Sequence, residues 1–342
     1  MAIEPEVIPF QQLLEALFDE DTQLHNRYLY RLSDLDDNEL NSLKDIWGEI
    51  PLSRRKSVLI DLLNLGKENL ILSFEAIGRF AITDSDASIR ELGVQILKGS
   101  ESLDLIPKFM SLLEQDTNED VQAACASALS RFIYLGEVDE ISRETLRQIE
   151  DCLLHVLQHN QSDLVKQRSL EAMGFSSHPE VPSLIENALK SGDIKWIKSA
   201  LSAIGRSIDE RWEDVVLFYL NNRLPSLRAE AAKAAGKLEI STALPRLIEL
   251  TDDSDDDVRR AAIWSLSQIS GEGVKESLEE LWESSEEAGE IDLIEAALEN
   301  LEFNENTDLF TLFEFPDNEQ EDLGEDIYDS ENHEDDDEDI PD

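Results

Sequence analysis

"VRRAAIWSLS", residues 258–267, aligns without a gap with two earlier stretches, "LRAEAAKAAG" at 227–236 and "WIKSALSAIG" at 196–205. Equivalent residues lie 31 positions apart, as Ile197, Arg228 and Arg259 do. The same frame extends in both directions, with spacings of 31 to 33 residues and one interval of 44, through "VKQRSLEAMG" (165–174), "VQAACASALS" (121–130), "IRELGVQILK" (89–98) and "IDLIEAALEN" (291–300). A fixed period of this length is the signature of a repeat architecture.

Each of these seven stretches, which we call B segments, places apolar or small residues at helical spacing, and all but 291–300 carry Gly or Ser at or just past the end. Several are preceded by a second helical stretch, an A segment, that opens with proline: "LIPKFMSLL" (105–113), "EVPSLIENAL" (180–189) and "ALPRLIEL" (243–250). Proline is tolerated there because the first helical turn needs no N–H partner. A single helix pair cannot bury its apolar faces alone, so neighbouring pairs must stack.

The sequence therefore predicts an all-α protein, a right-handed α-solenoid of about eight helix pairs. We expect an N-terminal helical cap at 1–50, the solenoid at 51–301 and a disordered tail at 302–342. The tail holds 19 Asp and Glu and no Lys or Arg. Two features stand outside the period: "YLGEVDEIS" (134–142), predicted to bulge as a loop, and "TDLFTLFEFPD" (307–317), whose residues mix apolar and acidic types. The second fits either a short docking motif in a tail that visits the basic strip, or a solubilising tail whose Phe residues cap the last repeat.

Proline in the A segment, an Asp-rich turn and a V-R-x-A-A-x-x-x-L-G pattern together resemble the short HEAT-like repeats of phycobilin lyases and many bacterial adaptor proteins. The resemblance covers residues 50–301 and implies a scaffold or adaptor for protein binding. It leaves an enzymatic alternative of the phycobilin lyase or deoxyhypusine hydroxylase (oxidoreductase) type. The hydroxylase family holds two irons with His-Glu pairs from several repeats, whereas the His-Glu pair of this chain, His333-Glu334, lies in the predicted tail. We therefore predict no catalytic residues and no cofactor.

Charge and composition limit the classes of ligand that this protein could bind. There are 77 Asp and Glu against 29 Lys and Arg, a formal net charge of -48, which disfavours nucleic acid or an anionic membrane as the main ligand. The sequence shows no secretory signal and no apolar run of membrane-spanning length, so we expect a cytoplasmic protein. Cys125 and Cys152 have no CxxC spacing and are expected to be reduced thiols.

Two groups of residues suggest metal binding, and for both we prefer a structural interpretation. Cys152, His155 and His159 share one side of an A segment, but no fourth ligand is evident and they flank a core stripe. The aspartates within 252–257 do not fit a calcium loop, because Val258 and Trp264 occupy the positions that require Gly and Glu. We predict instead that these aspartates cap the next helix, and that Arg228 and Arg259 bind the Asp-rich turns of adjacent repeats.

One region of this acidic chain is almost neutral. Residues 190–260 contain 12 Lys and Arg against 13 Asp and Glu. We predict that a strip of these cations, with one tryptophan, lines the concave face formed by the B segments: Lys195, Lys198, Arg206, Lys233, Lys237, Arg260 and Trp264. Two interpretations remain open: a docking groove for an acidic segment of a protein partner, or a solvated face with ion pairs inside the chain. The sequence does not determine the oligomeric state.

Overall fold

The computed structural model describes residues 8–19, 23–69, 71–269, 271, 273–285 and 287–312, with side chains up to residue 303. Within these ranges the chain is helical and contains no strand. In chain order the helices are α1 (Phe10–Ala16), α2 (Asn26–Tyr30), α3 (Asp37–Trp47), α4 (Leu52–Glu68), α5 (Glu75–Ala81), α6 (Ala87–Leu97), α7 (Ile106–Gln115), α8 (Glu119–Glu137), α9 (Arg143–His159), α10 (Asp163–Met173), α11 (Val181–Lys190), α12 (Ile194–Ile204), α13 (Glu213–Leu220), α14 (Pro225–Lys237), α15 (Leu244–Leu250), α16 (Asp256–Gln268), α17 (Val274–Ser284) and α18 (Ala288–Leu312).

The helices form two rows. The even-numbered helices from α4 to α18 contain the predicted B segments, and each of them packs against the even-numbered helices before and after it. The odd-numbered helices from α5 to α17 each pack on the B helix that follows. Neighbouring B helices approach one another more closely than neighbouring A helices do, so the B helices form the inner row. The predicted all-α solenoid is confirmed.

The helical spacing read from the sequence places the core correctly. In α16 and the residue after it, Val258, Ala262, Leu266 and Ile269 are all at most 2% exposed. The buried apolar residues form two clusters, one from Leu13 to Ile89 and a larger one from Ile82 to Leu301, which crosses from repeat to repeat. The A helices α7, α11 and α15 carry proline in their first turn, as predicted. At the N-terminus α1 packs against α3 and α2 against α4. The domain boundaries at residues 50 and 301 stay a prediction.

The acidic turns before the B helices are joints, as predicted from the aspartates at 252–257. Asp255 caps α16 by accepting hydrogen bonds from the backbone N–H groups of Asp257 and Val258, at 3.1 and 3.3 Å. Asp86 and Asp193 cap α6 and α12 in the same way. Such caps satisfy N–H groups that the helix leaves unpaired and are worth about 1 kcal/mol each.

The glycines near the ends of the B helices have a packing role beyond marking the helix end. The helices α10 and α12 end at Gly174 and Gly205, as the sequence predicts, whereas Gly236 lies within α14. Each faces the next B helix so closely that a Cβ atom would stand 2.6 Å from the Ala203 carbonyl oxygen, 3.0 Å from Ala234 Cα and 2.9 Å from Ser265 Cα, respectively. These glycines therefore permit close contact between successive inner helices.

The prediction that residues 134–142 form a loop is wrong. Residues 134–137 form the last turn of α8, and only 138–142 connect it to α9. The extra length is taken up by two longer helices, which pack because Leu135 is buried and Gly136 leaves room for Leu146. The segment 307–317 and the tail at 302–342 lie largely outside the residues described with side chains, and His333-Glu334 lies wholly outside them. Of the helices described, none is both long and apolar enough to cross a bilayer.

Candidate binding groove on the inner helix row

A ladder of arginine and aromatic side chains crosses the inner row between α8 and α12. The Arg131 guanidinium lies over the Tyr134 ring at 5.4 Å, and the Tyr134 and Phe175 rings meet edge to face with centroids 5.7 Å apart. The Arg206 guanidinium then lies over Phe175 at 5.3 Å. Tyr134 is 37% exposed, so this arginine–aromatic ladder offers a flat ring and cations to a ligand on the inner face.

Arg206 is the centre of a cluster of positive charge. Its Nη1 donates a hydrogen bond of 2.7 Å to the backbone carbonyl of Glu171, which fixes the guanidinium against α10. Lys98, at the end of α6, and Lys237, at the end of α14, lie near enough to Arg206 to feel its charge. Partial burial and then repulsion from Arg206 lower the pKa of both lysines, although both side chains keep solvent access.

The three cations have no close carboxylate partner. Within the described part of the chain no Asp or Glu oxygen lies within 4.0 Å of the charged nitrogens of Lys98, Arg206 or Lys237. Glu171 and Glu230 lie farther away than this, and their negative charges raise the pKa of Arg206 and Lys237 and so offset part of the lowering. We call Lys98, Arg206 and Lys237, together with the arginine–aromatic ladder, the inner groove.

A cleft of about 1050 Å³ adjoins the inner groove, between α10 and α12. Lys195 and Lys198 line it, both exposed and neither with a carboxylate oxygen within 4.0 Å in the described residues. On its wall Glu171, 8% exposed, accepts hydrogen bonds from Arg168 at 2.5 Å and from Ser199 at 2.7 Å. Glu171 is thus neutralised within the wall, and the accessible charges of the cleft are mixed, with Lys195 and Lys198 facing the carboxylates Glu119, Asp163 and Asp193.

The rest of the predicted strip is placed differently. Lys233 lies 3.9 Å from Glu230 and Arg260 lies 3.8 Å from Glu287, so these two cations fit the alternative of ion pairs inside the chain. Trp264 is half-buried and packs where α14 carries Gly236. The structure therefore brings Lys195 and Lys198 to the cleft and Arg206 and Lys237 to the inner groove, and sets Arg260 and Trp264 apart on α16.

The possible metal ligands on α9 are arranged as a structural group. The His155 and His159 rings stack with centroids 4.3 Å apart, and the Cys152 thiol donates to Glu114 at 3.7 Å. Burial, with Glu114 adding to it, raises the pKa of Cys152 to about 12. Across the described residues, no group of three His, Cys, Asp or Glu side chains is arranged to hold a metal ion.

Sequence reasoning missed four members of the groove: Lys98, Arg131, Tyr134 and Phe175. A signal for two of them was present. The position nine residues after the second residue of a B segment is occupied, in four successive repeats, by Arg131, Phe175, Arg206 and Lys237. Lys98 has no such signal, because its approach to Arg206 depends on how strongly the row of helices curves.

Comparison with known families agrees with this geometry. Residues 213–301 match the family model described as HEAT repeats, and residues 105–135 match the model described as HEAT repeat. These two stretches of the chain carry HEAT repeats. No curated protein matches it.

The solved structures that this chain resembles are distant in sequence. The complex of CpcE and CpcF of phycocyanin lyase from Nostoc sp. is 15% identical, with 66% of this chain and 94% of that chain covered and a TM-score of 0.42. Human deoxyhypusine hydroxylase in complex with glycerol is 18% identical, with 86% and 96% covered and a TM-score of 0.35. A designed armadillo repeat protein in complex with the peptide (KR)4 is 18% identical, with 57% and 99% covered and a TM-score of 0.36.

Proposed function

We propose that this protein is a non-enzymatic, cytoplasmic scaffold that binds an acidic segment of a partner protein in the inner groove. The observation that carries the proposal is the cluster of Lys98, Arg206 and Lys237. In a chain with 77 acidic and 29 basic residues, most cations have a carboxylate within reach, yet these three converge without one. A partner's carboxylates would relieve their mutual repulsion, and such complementarity gives specificity and fast association.

The groove also favours a protein ligand over other anions. Tyr134 and Phe175 supply ring surface beside the cations, and Tyr and Arg are the residue types that most often dominate the binding energy of protein interfaces. A peptide that carries both acidic and aromatic side chains would use both features. The net charge of -48 opposes a nucleic acid, which would need many phosphate contacts along its length.

The non-enzymatic part of the proposal is supported by the state of the candidate nucleophiles. Burial raises the pKa of Cys125 and of Cys152, so both thiols stay protonated at neutral pH. Glu171, the buried carboxylate nearest the groove, is already engaged by Arg168 and Ser199.

The test is a fluorescence anisotropy titration of the full chain with a synthetic peptide of alternating Glu and Phe. A matched peptide with Gln for Glu is the ligand control. We expect saturable binding of the acidic peptide that weakens steeply with salt. The Lys98→Glu/Lys237→Glu variant should lose at least about tenfold in affinity, corresponding to about 1.4 kcal/mol. The control variant Lys44→Glu/Lys190→Glu changes two exposed lysines on α3 and α11 and should bind as the parent does.

Two results would overturn the proposal. One is equal affinity of the parent and the Lys98→Glu/Lys237→Glu variant for the acidic peptide. The other is equal or tighter binding of a duplex DNA, lost in the same variant, which would assign the groove to nucleic acid.

A further inference from the structure

We infer that the acidic C-terminal segment of this chain, residues 317–342, is itself a ligand of the inner groove and competes there with the partner. The inference rests on the proposed function, because it assigns an occupant to the same groove. Three observations carry it: the charge of the two parts, the position where the described chain ends, and the residue types at both surfaces.

The acidic segment and the inner groove carry opposite charges. Residues 317–342 contain 15 Asp and Glu and no Lys or Arg. Within the described residues Lys98, Arg206 and Lys237 have no carboxylate oxygen within 4.0 Å, and Arg206 adds to burial in lowering the pKa of both lysines, whereas Arg131 of the ladder is paired with Glu101. Some exposed cations elsewhere have carboxylates at hand, as Lys190 has Glu186 at 2.8 Å and Lys108 has Asp104 at 2.8 Å, whereas others, such as Lys44 and Lys67, stand alone in the described residues. The groove differs from both because three cations converge there, so one acidic segment could neutralise them together.

The segment starts close to the groove. The last described helix, α18, belongs to the inner row and packs on α16, which packs on α14. Helices in contact lie roughly 8–10 Å apart, so about 20 Å separates α18 from the helix that carries Lys237. Residues 313–342 could span up to about 100 Å when extended, which is ample to reach every cation of the groove.

The residue types also match. "EDIYDSE" at 325–331 places Ile327 and Tyr328 between acids, which suits a groove that presents Tyr134 and Phe175 between cations. A tethered ligand of this kind acts at an effective concentration in the millimolar range, so even weak affinity keeps it bound for much of the time. An acidic partner would then have to displace it.

The first experiment is zero-length carbodiimide cross-linking of the full chain, read by mass spectrometry. The reagent joins a lysine amine to a carboxylate only when the two are in contact. We expect residues 317–342 to be joined to Lys98, Lys237 and the cleft lysines Lys195 and Lys198, and the links to disappear in 500 mM salt at a Debye length of roughly 4 Å. Lys44, Lys108 and Lys190 are the internal controls and should give few links.

A mixture of isotope-labelled and unlabelled protein tells whether the segment binds its own chain. Links confined to single-isotope pairs support binding within one chain, and mixed pairs that grow with protein concentration assign the same contact to a second copy. Links spread evenly over the groove and control lysines would overturn the inference, because the segment would then have no preferred site.

The second experiment separates this inference from the proposed function. Six acids are changed to amides in the full chain: Glu334→Gln, Asp335→Asn, Asp336→Asn, Asp337→Asn, Glu338→Gln and Asp339→Asn. We expect the acidic peptide to bind this variant about tenfold more tightly than the parent at low salt. Unchanged affinity with no groove links would overturn the inference and leave the proposed function standing. If the parent shows groove links but even the variant with six amides does not bind the peptide, the segment does occupy the groove and the proposed binding of an acidic partner is overturned.

Discussion

Arg228 on α14 and Asp253, in the joint before α16, form a two-pronged ion pair in which Nε and Nη2 each lie 2.8 Å from one carboxylate oxygen. The third nitrogen, Nη1, donates to the carbonyls of Asn222 and Arg223 in the joint before α14. One side chain thus ties two consecutive joints together. The predicted role of binding the Asp-rich turn of an adjacent repeat is thus confirmed for Arg228. Arg259 reaches the next repeat at 3.0 Å, but its partner there, Glu290, lies in the first turn of α18.

The pairing follows a register along the chain. The arginine stands four residues after the helix cap, and its acid stands two residues before the next cap, as with Arg90 and Asp116 at 2.7 and 2.9 Å. Where the first position holds Lys166 or Ile197, the second holds Ser191 or Asn222, neither of them acidic. Ion pairs at this register therefore brace the repeats that carry Lys98 and Lys237, at the two ends of the inner groove. Between them, the described residues have no such ion pair, and Asn160 donates a hydrogen bond of 3.1 Å to Gln122 in its place.

Removing the carboxylate of this pair should destabilise the solenoid. Both side chains are about nine-tenths buried, so Asp253→Asn leaves the Arg228 charge without its partner, and we expect a loss of about 2 kcal/mol. Arg228→Lys should lose part of this, since an ammonium cannot form two parallel bonds. Urea unfolding followed by circular dichroism measures both. Asp252→Asn, at an exposed neighbour, is the control and should stay within about 0.5 kcal/mol of the parent.

The same pair makes stability depend on pH. The hydrogen bond from Arg228 lowers the pKa of Asp253 below its ordinary value of 3.8 in the folded protein. A carboxyl whose folded pKa is depressed contributes stability above 3.8 and loses it as the pH falls through the lower, folded value. The difference in melting temperature between the parent and Asp253→Asn should therefore be constant from pH 5 to 8 and shrink below about pH 4. A difference that persists undiminished at pH 3 would contradict this assignment.

Most of the fold was predictable from the sequence because each repeat shows the same local patterns, namely apolar residues at helical spacing and an aspartate before a helix. Val258, Ala262 and Leu266 are buried as their spacing indicated, and Asp255 caps α16 as an aspartate before a helix should. The exceptions depend on tertiary contact. Residues 134–137 are helical because Gly136 admits Leu146, a contact that no local pattern reveals.

The candidate site was predictable only in part, for a related reason. Offsets within one repeat identified Arg206 and Lys237, because side chains at equal offsets share a face. The approach of Lys98 on α6 toward Arg206 beyond α12 requires the inner row to curve. That curvature depends on how closely successive helices pack, which the sequence does not state in any single repeat.

Both cysteines should be unreactive in the folded protein. Burial raises the pKa of Cys152 to about 12 and that of Cys125 higher still, so the reactive thiolate is scarce at pH 8. We expect Ellman's reagent to label neither thiol within minutes in native buffer and both in denaturant. Ser284→Cys, at an exposed position on α17, is the positive control and should add one fast-reacting thiol. A fast equivalent in the parent would show that one of the two sites opens.

The glycines of the inner row should tolerate no side chain. A Cβ at Gly174 would stand 2.6 Å from the Ala203 carbonyl oxygen, which is backbone and cannot rotate away, so Gly174→Ala must push α10 and α12 apart. We expect a loss of about 1–3 kcal/mol in urea unfolding. Gly48→Ala is the matched control, since nothing lies within 4 Å of its Cβ and φ is -67°. It should be neutral or stabilising by up to about 1 kcal/mol.

Because the spacing of α10 and α12 also sets the distance from Lys98 to Arg206, Gly174→Ala should weaken binding of the acidic peptide while Gly48→Ala leaves it unchanged. Loss of stability without any change in affinity would show that the groove does not depend on this contact.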